Sequence, residues 1–397
     1  MSSQKNKFYL PDYKNRSIVN LMSSIGGALG WKSPYNQLKE LSSEELKESE
    51  NIVLMVIDGL GYNYLRKKGD ETTLNKYLRV PITSVFLPTT ASAIPTFLTG
   101  VAPQQHALTG WFMNLKETGT VSVILPFMPR IGGERFDNLG FKIKEIIGSN
   151  AFSEKIKTKS YIIQPEKIND SDFTKYTSKK AKLIGCKNLN GFFSEIKKTI
   201  AKKGKKYIYA YWPDLDALAH LNGIGSKETE KHFEEIDKKI TQFIKQIKDT
   251  NTTVIITADH GLINIPKDKK IKLENHPKLQ ECLTIPLCGE PRTVYCYVHP
   301  SKTKQFEKYV KTKLKNICTL YKSQDLIKNN YFGLFKPHPK LFDRVGDYIL
   351  ICKENYGIKD KIERIDRKKK KKDPVLKGNH GGMSGDEMIV PLIVIKS

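Results

Sequence analysis

Four continuously apolar runs, three of them stopping at an acidic residue, constrain the fold more than any other feature of the chain. Asn51–Ile57 ends at Asp58-Gly59, Lys206–Trp212 runs into Pro213-Asp214-Leu215-Asp216, and Thr252–Ala258 runs into Asp259-His260-Gly261. Met388–Ile395 closes the chain. Runs that are apolar throughout, rather than alternating, mark strands covered on both faces. Helical patterns at Asn188–Lys202 and Lys227–Lys248 separate them. Strand, polar end and helix in repetition predict an α/β fold with a mostly parallel sheet and helices on both faces. Ligands of such sheets sit at the carboxyl ends of the strands, where the three acidic stops lie.

A second stretch adds a hydroxyl. Pro81–Leu87 reads as a buried strand, and Ala91–Leu98 as a helix that stops at Gly100. Pro95 falls early in that helix, where it is best tolerated. Thr90 then lies at a strand-to-helix corner, its hydroxyl free to face a phosphate held by the helix N-terminus. Taken alone, the residue reads as a helix cap; the carboxylates and histidines placed around it reverse that reading.

The polar ends supply metal-ligand chemistry. Asp216 and His220 are spaced i, i+4, so one helical face presents both. Asp259 and His260 follow a strand directly, as does Asp58. His380 sits in the glycine-flanked stretch Gly378-Asn379-His380-Gly381-Gly382, just before the last strand. Three carboxylates and three imidazoles suit Zn²⁺, with Mn²⁺ as the alternative, rather than Ca²⁺. Six such ligands suffice for two divalent ions, the arrangement that serves in-line displacement at phosphorus.

These pieces together resemble the alkaline phosphatase superfamily, on its nucleotide pyrophosphatase/phosphodiesterase branch. The matching segments are Val56–Gly61, Phe86–Thr90, Asp216–His220, Ala258–Gly261 and Asn379–Gly382, in the order of the family. The resemblance implies an alkaline-phosphatase-like three-layer sandwich. It implies that Asp58, Thr90, Asp259 and His260 hold the metal that activates the nucleophile, and that Asp216, His220 and His380 hold the other. It implies hydrolysis of a small, nucleotide-like phosphate ester through a phosphothreonine at Thr90. In one respect the chain departs from the family. Five residues after His106, where the branch carries an Asn, stands Trp111, so oxyanion stabilisation is expected from the backbone N–H groups of Thr90 and Ala91. Asn114 is near but out of register, and His106 reads as structural.

Two alternatives stand beside this reading. A phosphomonoesterase of the same superfamily needs extra positive charge for a third phosphoryl oxygen, and Lys and Arg abound. A polyanion-binding protein with an inert phosphatase fold would draw on the net charge of +25. The intact ligand set argues against that second alternative, and contact with nucleic acid rests on charge alone. The basic run Arg367–Lys372 reads as a loop tip.

The expected organisation is a lead-in at 1–50, a catalytic core at 51–261, an α+β insertion at 262–374 that roofs the site, and a return to the core at 375–397. Within the lead-in, Ser42 caps a helix and Glu45 completes a capping box. Within the insertion, Glu290–Val298 and Asp347–Cys352 read as strands and Ser301–Leu314 as a helix. Residues 112–187 read as irregular, with a helical segment at Phe152–Lys159. No stretch approaches the roughly 18 apolar residues of a membrane span, Met1–Lys7 has no signal-peptide core, and the six cysteines form no C-x-x-C pair. A cytoplasmic location with reduced, core-lining thiols is expected.

Overall fold

The three acid-terminated runs become adjacent parallel strands at the middle of a seven-stranded sheet. In the computed structural model, which describes residues 8–365 and 376–397, Asn51–Ile57 lies between Lys206–Trp212 and Thr252–Thr257. Ile57 is level with Trp212 and Val56 with Thr257, so all three acidic ends leave the sheet at one edge. Every residue of these strands is buried, because helices cover both faces. Leu189–Ile200 packs on the sheet beside Lys227–Gln246, while Ile18–Ala28 and Thr90–Thr99 form a separate pair. The longest helix shows why: Phe233, Ile236, Ile240 and Phe243 recur at helical spacing and are its buried face. Its start is set by Ser226, whose side chain accepts the Thr229 N–H.

The remaining strands correct several expectations. Lys159–Pro165 and Ala181–Cys186 extend the sheet beyond Lys206–Trp212, in parallel. They lie within the stretch read as irregular, and the helix expected at Phe152–Lys159 is one turn, Phe152–Lys155. Lysines at 155, 157, 159, 180 and 182 interrupt the apolar pattern there, and at a sheet margin half-exposed positions tolerate them. The strand expected at Pro81–Leu87 is Leu78–Thr83, an edge strand antiparallel to Ile389–Lys396. Pro81 has no N–H for a second neighbour, which suits an edge. Phe86 and Leu87 are buried outside the sheet, with the Phe86 ring edge-on to Tyr331 and Phe332. Their apolarity answers to tertiary packing, and Ser84–Thr89 connects strand to helix as a loop.

A second, antiparallel sheet also has seven strands. Its order is Cys318–Lys322, Tyr348–Cys352, Thr293–Cys296, Cys288–Glu290, Phe112–Leu115, Thr120–Val123 and Met128–Pro129. Residues 112–129 therefore join strands from beyond residue 262 in one layer. The strand expected at Glu290–Val298 is Thr293–Cys296; Glu290 ends the preceding strand Cys288–Glu290, and the two form a hairpin that turns at Pro291-Arg292. Helix Thr303–Lys313 lies against this sheet's core through Phe306 and Val310.

Ahead of the first strand, helix Ile18–Ala28 is closed by a capping box of Ser17 and Asn20 and is almost wholly buried. Ser42 does cap the next helix, at 3.2 Å from the Glu45 N–H. The Glu45 carboxylate turns away to Arg79, at 2.6 and 3.0 Å, and so does not complete that box. All six cysteines are buried and unpaired, and burial pushes the thiols of Cys288 and Cys352 up to about 12. No helix among the described residues is long and apolar enough to cross a membrane. The basic run at 367–372 lies outside the described residues.

Candidate active site

The first cluster forms where two neighbouring strands end. Asp58 follows Asn51–Ile57 and Asp259 follows Thr252–Thr257, and the Asp259 carboxylate accepts the Gly59 N–H at 3.1 Å and the His260 N–H at 3.0 Å. The Asp58 carboxylate accepts from the Tyr211 hydroxyl on the strand to its other side. His260 Nδ1 lies 3.1 Å from the Gly261 carbonyl; a proton there leaves Nε2 as a lone pair facing the cluster. That nitrogen is 3.3 Å from Asp58 and 3.4 Å from Asp259. Gly261 permits the approach, since a Cβ at that position meets the Asp386 carbonyl at 2.1 Å.

The second cluster is built on a helix and a return strand. Asp216 and His220 share a face of Asp214–Asn222, with His220 Nε2 3.3 Å from Asp216. Ile263–Asn264 pairs with Gly378–Asn379, which draws His380 back beside the loop of His260. The Gly378 carbonyl lies 2.8 Å from His220 Nδ1, so this ring too aims Nε2 at its cluster. A Cβ on Gly378 meets the Ala219 carbonyl at 2.4 Å, which is why glycine stands there. The His260 and His380 rings stack at 3.8 Å and join the two clusters. In each triad, Asp58–Asp259–His260 and Asp216–His220–His380, the ligand atoms lie within 4.8 Å of one another.

Thr90 opens helix Thr90–Thr99, with Thr89 as its N-cap, so it is the first helical residue rather than the cap. Its Oγ1 lies 3.1 Å from His260 Nε2. The Thr89 carbonyl takes the N–H groups of Ser92 and Ala93, so those of Thr90 and Ala91 precede the helical ladder. Ala91 is fully buried. Trp111 lines the same cavity of about 1100 Å³ as Thr90, Asp58, Asp216, His220 and His380. His106 stands apart within the core, between Thr96 and the Leu108 N–H at 3.1 Å each, and burial pushes it down to about 3. Asn114 lies in strand Phe112–Leu115 of the second sheet, opposite Val121.

Two functional neighbours escape a sequence reading. Tyr211 appears there as one aromatic among several in a buried strand. Glu290 accepts the Thr89 hydroxyl at 2.6 Å and the Trp111 N–H at 3.0 Å, and its burial raises the carboxyl to about 7. In the sequence Glu290 reads only as the first residue of a strand, Glu290–Val298, and nothing local ties it to Thr89.

The donor set fits divalent cations. Asp58 Oδ1, Asp216 Oδ1, Asp259 Oδ2 and His380 Nδ1 are buried and have no hydrogen-bond partner among the described residues. An orphaned buried acceptor costs about 1–3 kcal/mol, and here four converge. Burial, then Asp259 and Asp216, push Asp58 well above the carboxylate range; burial likewise raises Asp216. Burial, then His260 and His220, push His380 well down. Neutral imidazole lone pairs facing carboxylate oxygens are mutually repulsive until a cation stands between them.

Comparison with known proteins bears on the fold and the family. Murine ectonucleotide pyrophosphatase/phosphodiesterase 5 superposes with a TM-score of 0.63 at 18% identity, over 86% of this chain and 87% of that one. The human protein of that name gives 0.62 at 17%, over the same shares. Phosphonoacetate hydrolase from Sinorhizobium meliloti 1021, in complex with phosphonoacetate, gives 0.64 at 14%, over 87% of this chain and 90% of that one. At these identities the likeness concerns the fold. No curated protein matches the chain. The model of the type I phosphodiesterase / nucleotide pyrophosphatase family matches residues 52–383, and with that the chain is placed: it belongs to this family.

Proposed function

We propose that the protein is a hydrolase of phosphoric diesters or nucleotide pyrophosphate bonds, acting through Thr90 beside two divalent cations. The observation that carries this is one hydroxyl, Thr90 Oγ1, 3.1 Å from His260 of the first three-ligand cluster, whose ring stacks on His380 of the second. Family membership supports hydrolysis of phosphoric esters. Asp58, Asp259, His260 and Thr90 would hold one ion, and Asp216, His220 and His380 the other. Zn²⁺ suits this donor set best, with Mn²⁺ next. Bound there, such ions supply concentrated positive charge to a phosphoryl group in transfer.

The chain's own groups do the rest. Thr90 Oγ1 forms a new bond to phosphorus while the ester P–O bond breaks; its proton passes to water or to the departing alkoxide, which leaves as the alcohol, and water then breaks the Oγ1–P bond, releasing a phosphomonoester and restoring the Thr90 hydroxyl. The helix N-terminus and the N–H groups of Thr90 and Ala91 orient the phosphoryl oxygens. Glu290 holds Thr89 and the Trp111 backbone and so fixes the corner on which Thr90 stands. A structure of the murine relative, in an inactive form with a threonine changed to alanine, is in complex with AMP; a nucleotide-like substrate is the matching proposal here. The free thiols fit a reducing compartment, and we place the protein in the cytoplasm.

The test is turnover of bis(p-nitrophenyl) phosphate against p-nitrophenyl phosphate by the metal-loaded protein, with metal content measured in parallel. Faster diester turnover, two equivalents of metal and loss of both rates in Thr90→Ala are expected. Turnover that survives Thr90→Ala sinks the proposal.

A further inference from the structure

Strand Lys206–Trp212 carries tyrosines at 207, 209 and 211, alternate positions whose side chains share one face of the sheet. All three are buried. The hydroxyls of Tyr207 and Tyr209 have no hydrogen-bond partner among the described residues. That of Tyr211 donates to Asp58 Oδ2.

The register explains how the two meet. Val56 stands opposite Tyr211 and Ile57 opposite Trp212, and the Asp58 N–H continues the ladder to the Trp212 carbonyl at 2.9 Å. Backbone pairing thus fixes where Asp58 leaves the sheet, but not how its carboxylate is turned, since that last torsion is broad. The phenol settles it. An ionised carboxylate only accepts, so Tyr211 is the donor and occupies Oδ2. Oδ1 then stands 3.3 Å from His260 Nε2, with no hydrogen-bond partner among the described residues. The other members of this cluster are held by backbone: Asp259 by the Gly59 and His260 N–H groups, and His260 by the Gly261 carbonyl. Asp58 takes its tie from a side chain on the neighbouring strand.

We propose that Tyr211 is a positioning residue for metal binding: by holding Oδ2 it presents Oδ1 to the ion of the first cluster before that ion arrives. The proposal rests on the metal-dependent hydrolase reading above. Partners that orient metal ligands in this way change affinity by about ten- to a hundredfold. Tyr211 also borders the cavity, so direct contact with substrate is the competing role, and the test separates the two.

The experiment is stepwise Zn²⁺ binding to the full-length protein, measured by competition with a chromophoric chelator. The constant that survives in Asp58→Ala belongs to the second cluster. Tyr211→Phe is expected to weaken the other constant on the order of ten- to a hundredfold and to leave this one unchanged. Added to Asp58→Ala, it is expected to do nothing further, because the carboxylate through which it acts is gone. Thermal melts give the same comparison without Asp58→Ala: the Zn²⁺-induced rise in Tm should shrink in Tyr211→Phe while the metal-free Tm holds. The Zn²⁺ concentration for half-maximal turnover of bis(p-nitrophenyl) phosphate should rise, while KM at saturating Zn²⁺ moves less than about twofold. Unchanged constants in Tyr211→Phe overturn the proposal, and a raised KM beside them assigns the residue to the substrate instead. A metal-free Tm lowered by several degrees, with the Zn²⁺-induced rise preserved, marks a packing role and overturns it too. If the native protein binds no Zn²⁺, the metal reading fails first and the role of Tyr211 falls with it.

Discussion

Thr89 and Thr90 are adjacent and make different bonds. Thr89 caps the helix by backbone and donates its hydroxyl to Glu290 at 2.6 Å, whereas Thr90 Oγ1 stands 3.1 Å from His260 Nε2. Replacing the proposed nucleophile, Thr90→Ala, is expected to lower kcat by more than about 10³-fold while bound metal is retained, checked by steady-state rates beside metal analysis. At Glu290 the expectation concerns pH. Burial moves this carboxyl from about 4.5 to about 7, so the folded state holds its proton more tightly than the unfolded state does. Its contribution to stability is complete below the lower value and fades as pH rises through the higher one. Glu290→Gln keeps an acceptor for Thr89 and removes the titration. Denaturation midpoints between pH 4.5 and 7.5 should therefore fall less steeply with pH in the variant; parallel curves would count against a titrating Glu290.

Elements meet at the site through polar ties as well as packing. Arg292, at the turn of the second-sheet hairpin, lies within 3.0 and 3.1 Å of Glu387, and both are buried. Glu387 also accepts from Gly382 N–H at 2.8 Å and Ser384 Oγ at 2.6 Å. The pair thereby binds the second sheet to the loop that carries His380. Removing one partner leaves an uncompensated buried charge, so Arg292→Ala or Glu387→Ala is expected to cost about 3–5 kcal/mol in chemical denaturation. Changing both residues to apolar ones of similar size is expected to cost less than either single change. The strand ends themselves were legible in the residues, because fully buried parallel strands leave an unbroken apolar signature and the acids mark where each stops. Lys159–Pro165 and Ala181–Cys186 were not legible, since lysines occupy their exposed margins.

At the scale of the molecule, the two clusters gather three buried aspartates, two from strand ends and one from the helix Asp214–Asn222, with an orphaned oxygen on each. Cations that bind only the folded chain stabilise it by mass action, by about 2.7 kcal/mol at a hundred times Kd. Chelation should therefore lower Tm by several degrees and abolish turnover, and Zn²⁺ or Mn²⁺ should restore both in a concentration-dependent way. A Tm indifferent to chelation would separate the clusters from any metal. The α/β class, the helix after Thr90 and the seven candidate positions that the fold gathers could be named from residues alone, because each depends on short-range pattern: an apolar run, an acid at its end, an i, i+4 pair. The convergence itself required the fold. Residues 58, 216, 259 and 380 meet only because strand order and register bring distant segments to one edge, and Glu290 and Tyr211 acquire their partners from chain segments more than a hundred residues away. Local periodicity reports what a residue does within its own element; which residues face one another across a cavity is decided by tertiary packing.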